Sequence, residues 1–499
     1  MTPRRLGLAA LALLGLLTPA GGSPVAAQGY RVRLDSRLQS VSWRGVESGT
    51  IPRNQAIAQP GGGFLTPDGY AALCGEGTCS FFAPGAELRG VPWVTQADLT
   101  VWGLGIAGLS ARGNARWATD LGDSAIWPGT EPAVQLLEGY LEYTRAGLNA
   151  RAGRQLLLGR LGAYGLDGGR VLYHHRRSGL EAGGYAGWGL ARGAMLPVTD
   201  PALNPLDDFQ PRDRQVVAGL ELGWNRNAVD ARLEYRRELD PAVDYFVSER
   251  AAASVALRPH RRLGLAAGGE YDLAFGQVGS ADLSLSWIDA RYSVTGGVRR
   301  YRPFFDLWTI WGAFSPVAHH AWHLSGTVRP GSRLTLRARG ERFRFDDTET
   351  FTPAVTVEDR GWRFETGVTW SPARDWSVDA GYRTEFGPGA SSRGFDGRVT
   401  WTVTDRLWLS AHGIRTKRPL ELRYDDAELL GFGADVEFRP DDRWRLGLTA
   451  ARYDEQRKRP DARALDWDQL RIAARITLLF GSNADRLPLP RAVPRGGRQ

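Results

Sequence analysis

The side chains best placed to do chemistry here are charged, and they recur at every second position. In Asp230-Ala231-Arg232-Leu233-Glu234-Tyr235-Arg236, charge alternates strictly with apolar residues. Side chains of an extended strand point alternately to opposite faces. Asp230, Arg232, Glu234 and Arg236 therefore share one face, and Ala231, Leu233 and Tyr235 the other. The same polar face recurs through Arg154, through Arg333, Arg337, Arg339 and Glu341, through Arg363 and Glu365, through Arg443 and Arg445, and through Arg471 and Arg475. All but two of the 63 basic residues are arginine, the exceptions being Lys417 and Lys458. Guanidinium stays charged at any relevant pH. If such faces line a lumen, these residues are the pore-lining candidates, and the Arg333–Arg339 ladder would favour anions. The plainer account is that arginines and acids neutralise one another across strands and stabilise the sheet.

Other chemistries find little support. His319 and His323 share a strand face but stand ~13 Å apart by strand rise, too far for one metal ion. His174 and His175 point to opposite faces. No metal ligand set is expected. Cys74 and Cys79 are the only cysteines, and a close pair in an exported chain reads as a disulfide. No nucleophile elbow, phosphate loop, zinc-helix motif or calcium loop is present, so neither an enzyme nor a bound cofactor is expected. Arginines interleaved with acids form no basic patch for nucleic acid.

The elements that must carry the alternating faces are long strands. At the start, Arg4 and Arg5 precede the apolar-and-glycine run Leu6–Leu17, and small residues follow at Val25, Ala26 and Ala27. Residues 1–27 read as a cleaved signal peptide, too short in apolar length to span a bilayer. Their removal lowers the formal net charge from +8 to +6 by taking two arginines and no acid. After residue 27 no stretch approaches ~18 consecutive apolar residues. Many alternating runs reach ten residues or more, against the ~9–11 needed for a tilted membrane strand. Turn residues recur at Arg258-Pro259-His260-Arg261, Ile288-Asp289, Arg329-Pro330-Gly331-Ser332, Ser371-Pro372-Ala373-Arg374, Thr404-Asp405 and Arg439-Pro440-Asp441-Asp442. Longer connections such as 344–360 and 454–465 lie between them. Short turns on one side and long loops on the other are the signature of an outer-membrane barrel.

The pattern predicts an all-β, transmembrane, antiparallel up-and-down β-barrel of about 22 strands, with 18–22 compatible, over residues 28–480. Trp287, Trp370, Trp376, Trp401, Trp408 and Trp444 lie near strand ends and suit interfacial girdles. The irregular segment 46–93 reads either as a long external loop or as an inward plug. Residues 303–314 are unusually apolar for an external loop, and either fold inward or carry the outer girdle. The proline- and arginine-rich tail 481–499 reads as disordered and periplasmic. The strand ending at Phe480 is similar to the terminal targeting strand read by the barrel assembly machinery, although 19 residues follow it.

One short stretch carries a family resemblance. Ala152-Gly153-Arg154-Gln155, followed by Leu166-Asp167-Gly168-Gly169-Arg170-Val171, resembles a pattern in large porin-like channels, including the alginate-export type. There, a strand with this first motif leads through an external loop into a strand opening with the second. The resemblance covers about 30 residues and implies a passive channel; it carries over no substrate site. These features together predict an outer-membrane channel for passive diffusion or export of small polar solutes, anions among them. The alternative is a plugged or structural barrel with no open pore. The expected partners are the lipid bilayer, the assembly machinery and the solutes themselves; the sequence does not set an oligomeric state.

Overall fold

A computed structural model describes residues 29–60, 62–122, 133–190, 215–239, 241, 246–302, 318–346, 359–387, 390–420, 424–457 and 467–482. The predicted signal peptide 1–27, the apolar stretch 303–314 and nearly all of 481–499 lie outside the described residues.

The first strand, β1 (Gly29–Pro52), is followed by a short 3-10 turn, Arg53–Gln55, and by β2 (Ile57–Ala58), β3 (Phe64–Leu65), β4 (Ala71–Cys74) and β5 (Thr78–Gly90). Next come β6 (Pro92–Trp102), β7 (Leu109–Asp120), β8 (Val134–Arg145), β9 (Leu148–Gly159), β10 (Gly162–His175) and β11 (Leu180–Gly189). The chain continues through β12 (Val216–Arg226), β13 (Val229–Leu239), β14 (Phe246–His260), β15 (Leu263–Asp272), β16 (Gln277–Ile288) and β17 (Tyr292–Tyr301). Then follow β18 (His319–Gly331), β19 (Leu334–Phe345), β20 (Arg360–Trp370), β21 (Trp376–Gly387) and β22 (Ala390–Thr404). The last four are β23 (Leu407–Leu420), β24 (Tyr424–Phe438), β25 (Trp444–Arg457) and β26 (Trp467–Gly481).

β1 and β6–β26 form one closed antiparallel barrel of 22 strands. Each strand pairs with its neighbours in sequence, and the last closes on the first, Arg31 opposite Gly481 through Ser40 opposite Ile472. Closure gives every strand of the wall a partner on both sides. The sequence-predicted turns at 258–261, 288–289, 329–332, 371–374, 404–405 and 439–442 all fall at the end that carries Gly29 and Gly481.

Alternation decides which face goes where. One face exposes Leu220, Leu222, Leu233, Leu283, Leu285, Leu324, Phe364, Phe432, Leu448 and Ile472. Apolar exposure this extensive is unfavourable in water and suited to lipid. Trp376 stacks on Trp401 with ring centroids 5.5 Å apart, and Trp287, Trp370 and Trp444 stand at the same end of the barrel on this face. Trp408 departs from the girdle expected of it. It lies opposite Glu437 on the polar face and is buried, because Leu407 and Leu409 occupy the outward positions on either side.

Segment 46–93 is β-rich. β1 runs past the barrel and pairs with β5. Leu38 stands opposite Trp93 and Val41 opposite Gly90, so the outer hairpin continues the wall hairpin in the same register as far as Arg44 and shifts by one residue before Val46. β2, β3 and β4 pair only within this segment. Cys74 faces Cys79 across the β4–β5 turn, and the two are joined as a disulfide.

Candidate channel lumen and an inward-folded hairpin

The polar face gains its most specific feature at β9 and β10. The β8–β9 ladder runs from Arg145 opposite Leu148 to Gly139 opposite Arg154 and stops there. β9 and β10 go on pairing to Gly159 opposite Gly162, around the turn residues Arg160 and Leu161. The hairpin tip, residues 155–165, thus parts from β8. The crease falls at Gly153, whose φ of +128° suits glycine. A Cβ there would come within 2.3 Å of the Gly139 carbonyl oxygen.

The tip turns toward the polar face of strands further round the wall. The backbone N–H groups of Arg160 and Leu161 donate to the Glu234 carboxylate on β13, at 3.1 and 3.3 Å. Arg236 donates to the Leu161 carbonyl at 3.1 Å, and its guanidinium lies over the Tyr164 ring, 4.6 Å from the centroid. The Arg160 guanidinium reaches Asp282 on β16. Beneath these contacts Leu157, Tyr164, Leu166 and Val217 form a buried apolar cluster, with Tyr185 packed against it. Glu234 and Arg236 alternate with the outward Leu233 and Tyr235. The hairpin therefore folds into the barrel and is fastened three and six strands away from β10. Close approach is possible because the wall beneath is small: a Cβ on Gly268 would meet the Arg160 guanidinium at 2.3 Å. The resemblance implied an external loop at this point; the structure has a two-residue turn that dips inward.

Apart from Arg154 and the turn residues Arg333 and Arg443, the sequence-predicted residues occupy the polar face in several groups. Arg154 is not pore-lining: it stands opposite Asp167, itself opposite Trp188, and so shares the outward face of Leu141 and Val171, because Ala150 and Ala152 take the outward positions before it. Arg154 grips Asp167 through two hydrogen bonds, 2.7 and 2.9 Å, and donates to the Leu136 carbonyl at 2.9 Å. Asp230 pairs with Arg232 at 3.3 Å, and Arg236 with Glu238 at 3.0 Å. Glu341 is buried beneath three arginines: Arg299 at 2.7 Å, Arg363 at 3.2 Å and Arg339 at 3.5 Å. Arg363 also pairs with Glu385 at 2.9 Å. Arg445 pairs with Glu437, and Arg475 with Asp35. Arg471 lies over the Tyr453 ring. Arg443 falls in the turn before β25, where its N–H donates to Asp441.

Two rungs of the ladder have oxygen partners other than carboxylates: Arg333 donates to the Pro372 carbonyl and Arg337 to the Thr369 hydroxyl, each at 3.3 Å. A depression of about 410 Å³ gathers Arg337, Arg339, Arg383, Glu365 and Asp396 with the hydroxyls of Ser293, Thr295, Ser325 and Thr327. Such a lining offers hydrogen bonds to a hydroxylated or carboxylated solute. Among the described residues no group of three or more His, Cys, Asp or Glu side chains is placed to hold a metal ion.

Sequence reasoning missed Arg160, Asp282 and the leucines of the tip. A signal was present. Leu156-Leu157-Leu158 breaks the period-two rule of a wall strand, and Leu157 is buried in the cluster under the tip.

No protein-family model matches the chain, and no curated protein matches it. Among solved structures it is similar to a mutant form of the ferric enterobactin receptor (PfeA) of Pseudomonas aeruginosa. Identity is 10%, TM-score 0.52, and the match covers 89% of this chain and 80% of that one. It is also matched by OpdQ of the same organism (8% identity, TM-score 0.38, 91% and 99% covered). OccK8 (OprE) of that organism matches with 9% identity, TM-score 0.39, and 91% and 98% covered. The likeness to the receptor shows a shared outer-membrane barrel fold.

Proposed function

We propose that the barrel is an outer-membrane channel for passive movement of small polar solutes, with the inward β9–β10 hairpin as its constriction. The observation that carries this reading is the hairpin's fastening: a polar-faced, closed wall bears one hairpin turned inside it and anchored at Glu234, Arg236 and Asp282. Segment 46–93 supports an open pore as well, since β5 continues the pairing of its own wall hairpin along β1. On this reading residues 1–27 are removed on export, the assembly machinery inserts residues 28–480, and the tail 481–499 stays in the periplasm. Pore-lining arginines matched by acids make selectivity modest, and the Arg337–Arg339–Arg383 depression tilts it toward anions.

The test is conductance of the refolded mature chain in a planar bilayer, with a salt gradient to read selectivity. Steady conductance with a reversal potential on the anion side is expected. Correct insertion, shown by heat-modifiable migration in detergent, with no conductance would overturn the channel reading.

A further inference from the structure

Outside the lumen, the outward face of β17–β20 carries charge where lipid contact calls for apolar residues. Arg300, His320, Arg344 and Arg360 stand directly opposite one another on four successive strands. Like charges in such cross-strand positions destabilise a sheet, and four basic side chains share the carboxylates of Asp346 and Asp359. Among the described residues two acids attend the row: Asp346 pairs with Arg300 at 3.3 Å and with His320 at 3.0 Å. Asp359 pairs with Arg344 at 2.7 Å and with Arg360 at 3.4 Å.

One step toward the membrane centre, Arg342 sits opposite Trp322 on one side and Trp362 on the other. No ion-pair partner of Arg342 is found among the described residues. Below it lies Gly340, where a Cβ would meet nothing within 4 Å. Trp322, Leu324, Trp362 and Phe364 rim the notch this leaves, which measures about 580 Å³. Trp322 is 70% exposed and Leu324 60% exposed. Trp362 marks the outer girdle and Trp370 the inner one, about 26 Å of tilted strand apart. The arginines therefore lie at headgroup height on the side of the long loops, with an acyl-sized apolar notch directly beneath.

We propose that this face is a binding site for a phosphorylated lipid of the outer leaflet. Arg342, Arg344 and Arg360 hold the phosphates, and one acyl chain lies over Gly340 between Trp322 and Trp362. Guanidinium suits phosphate because its donors are paired and its charge is permanent. Basic residues at a membrane surface each strengthen binding of anionic lipid several-fold.

The test uses the refolded full-length mature chain in zwitterionic detergent micelles doped with diphosphoryl lipid A. Binding is read by native mass spectrometry and by titration of tryptophan fluorescence. Replacing Arg342, Arg344 and Arg360 together by glutamine should weaken binding by about tenfold or more. Gly340→Phe, which fills the notch in a strand that accepts aromatics, should weaken lipid A binding while leaving inorganic phosphate binding as in wild type. Heat-modifiable migration of each variant checks the fold. Equal lipid A binding by wild type and the triple variant would overturn the proposal, as would equal binding of lipid A and a zwitterionic lipid. Loss of inorganic phosphate binding alone, with lipid binding kept, would overturn the lipid assignment.

Discussion

Removing the Glu234 carboxylate should release the constriction without opening the wall. In Glu234→Ala, the N–H groups of Arg160 and Leu161 lose their shared acceptor, at 3.1 and 3.3 Å. Hydrogen bonds to a charged group contribute about 1.5–3 kcal/mol each. Lumen water replaces part of that, so the lower end applies, about 3 kcal/mol for the two. At 1.4 kcal/mol per tenfold, the ratio of docked to undocked hairpin falls about a hundredfold. The strand itself is unharmed, because β13 keeps its backbone pairing to β12 and β14. Single-channel recording should show added open-state noise and visits to a larger conductance. That level should coincide with the level of a variant in which residues 156–163 are replaced by two glycines. The reasoning is refuted if the shortened variant conducts like wild type with the same reversal potential, since the hairpin then lies outside the ion path.

Further expectations concern the wall. Arg337→Gln combined with Arg339→Gln should move the reversal potential toward cation selectivity with conductance retained; an unchanged potential would remove the ladder from the filter. Gly153→Val should cut the yield of the heat-modifiable folded form sharply, because a β-branched residue at φ +128° adds about 1–3 kcal/mol of strain to the clash with Gly139; wild-type yield would show that the crease can relax. Cys74→Ser should leave barrel migration in detergent unchanged and speed proteolysis of the outer hairpin alone; destabilisation of the whole barrel would contradict the independence of that segment. Arg154→Leu should lower the barrel's unfolding temperature more than Arg337→Leu does, as measured by loss of the compact gel form on stepwise heating.

Much of this fold was legible because a barrel strand is the simplest message a sequence can carry. The period of two in Asp230–Arg236, and again in Arg471–Phe480, requires only that one side be wet and the other greasy. Strand number followed from turns such as Ser371-Pro372 and Arg439-Pro440, where proline cannot continue a central ladder. Trp408 was misassigned because an aromatic near a turn satisfies the girdle pattern on either face, and only the register against Glu437 decides between them. The hairpin tip was hidden for a related reason. Its anchors join residues separated by 74 positions for Arg160 and Glu234, and by 122 for Arg160 and Asp282. No local periodicity encodes a contact across a lumen.

The inward turn of the hairpin sets a problem that the wall must solve. Once β9 leaves, the edge of β8 from Val134 to Glu138 loses its ladder on that side. Unpaired backbone groups facing hydrocarbon cost several kcal/mol each, so something must stand in for the missing strand. Arg154 does so in part. Its guanidinium donates to the Leu136 carbonyl while two of its other donors are held by Asp167 on β10. The side chain thus bridges the edge that β9 abandons and the strand that follows it, at the level where the two part. A lysine there could not serve, because a single ammonium has no planar fork to hold a carboxylate with two bonds and still reach a carbonyl. In the sequence Arg154 reads as one more charge on a wet face, whereas the register sets it on the outward face with Ala152 and Val171. Its geometry makes it the fastening of the crease, and it links the wall's integrity to the same fold that narrows the lumen.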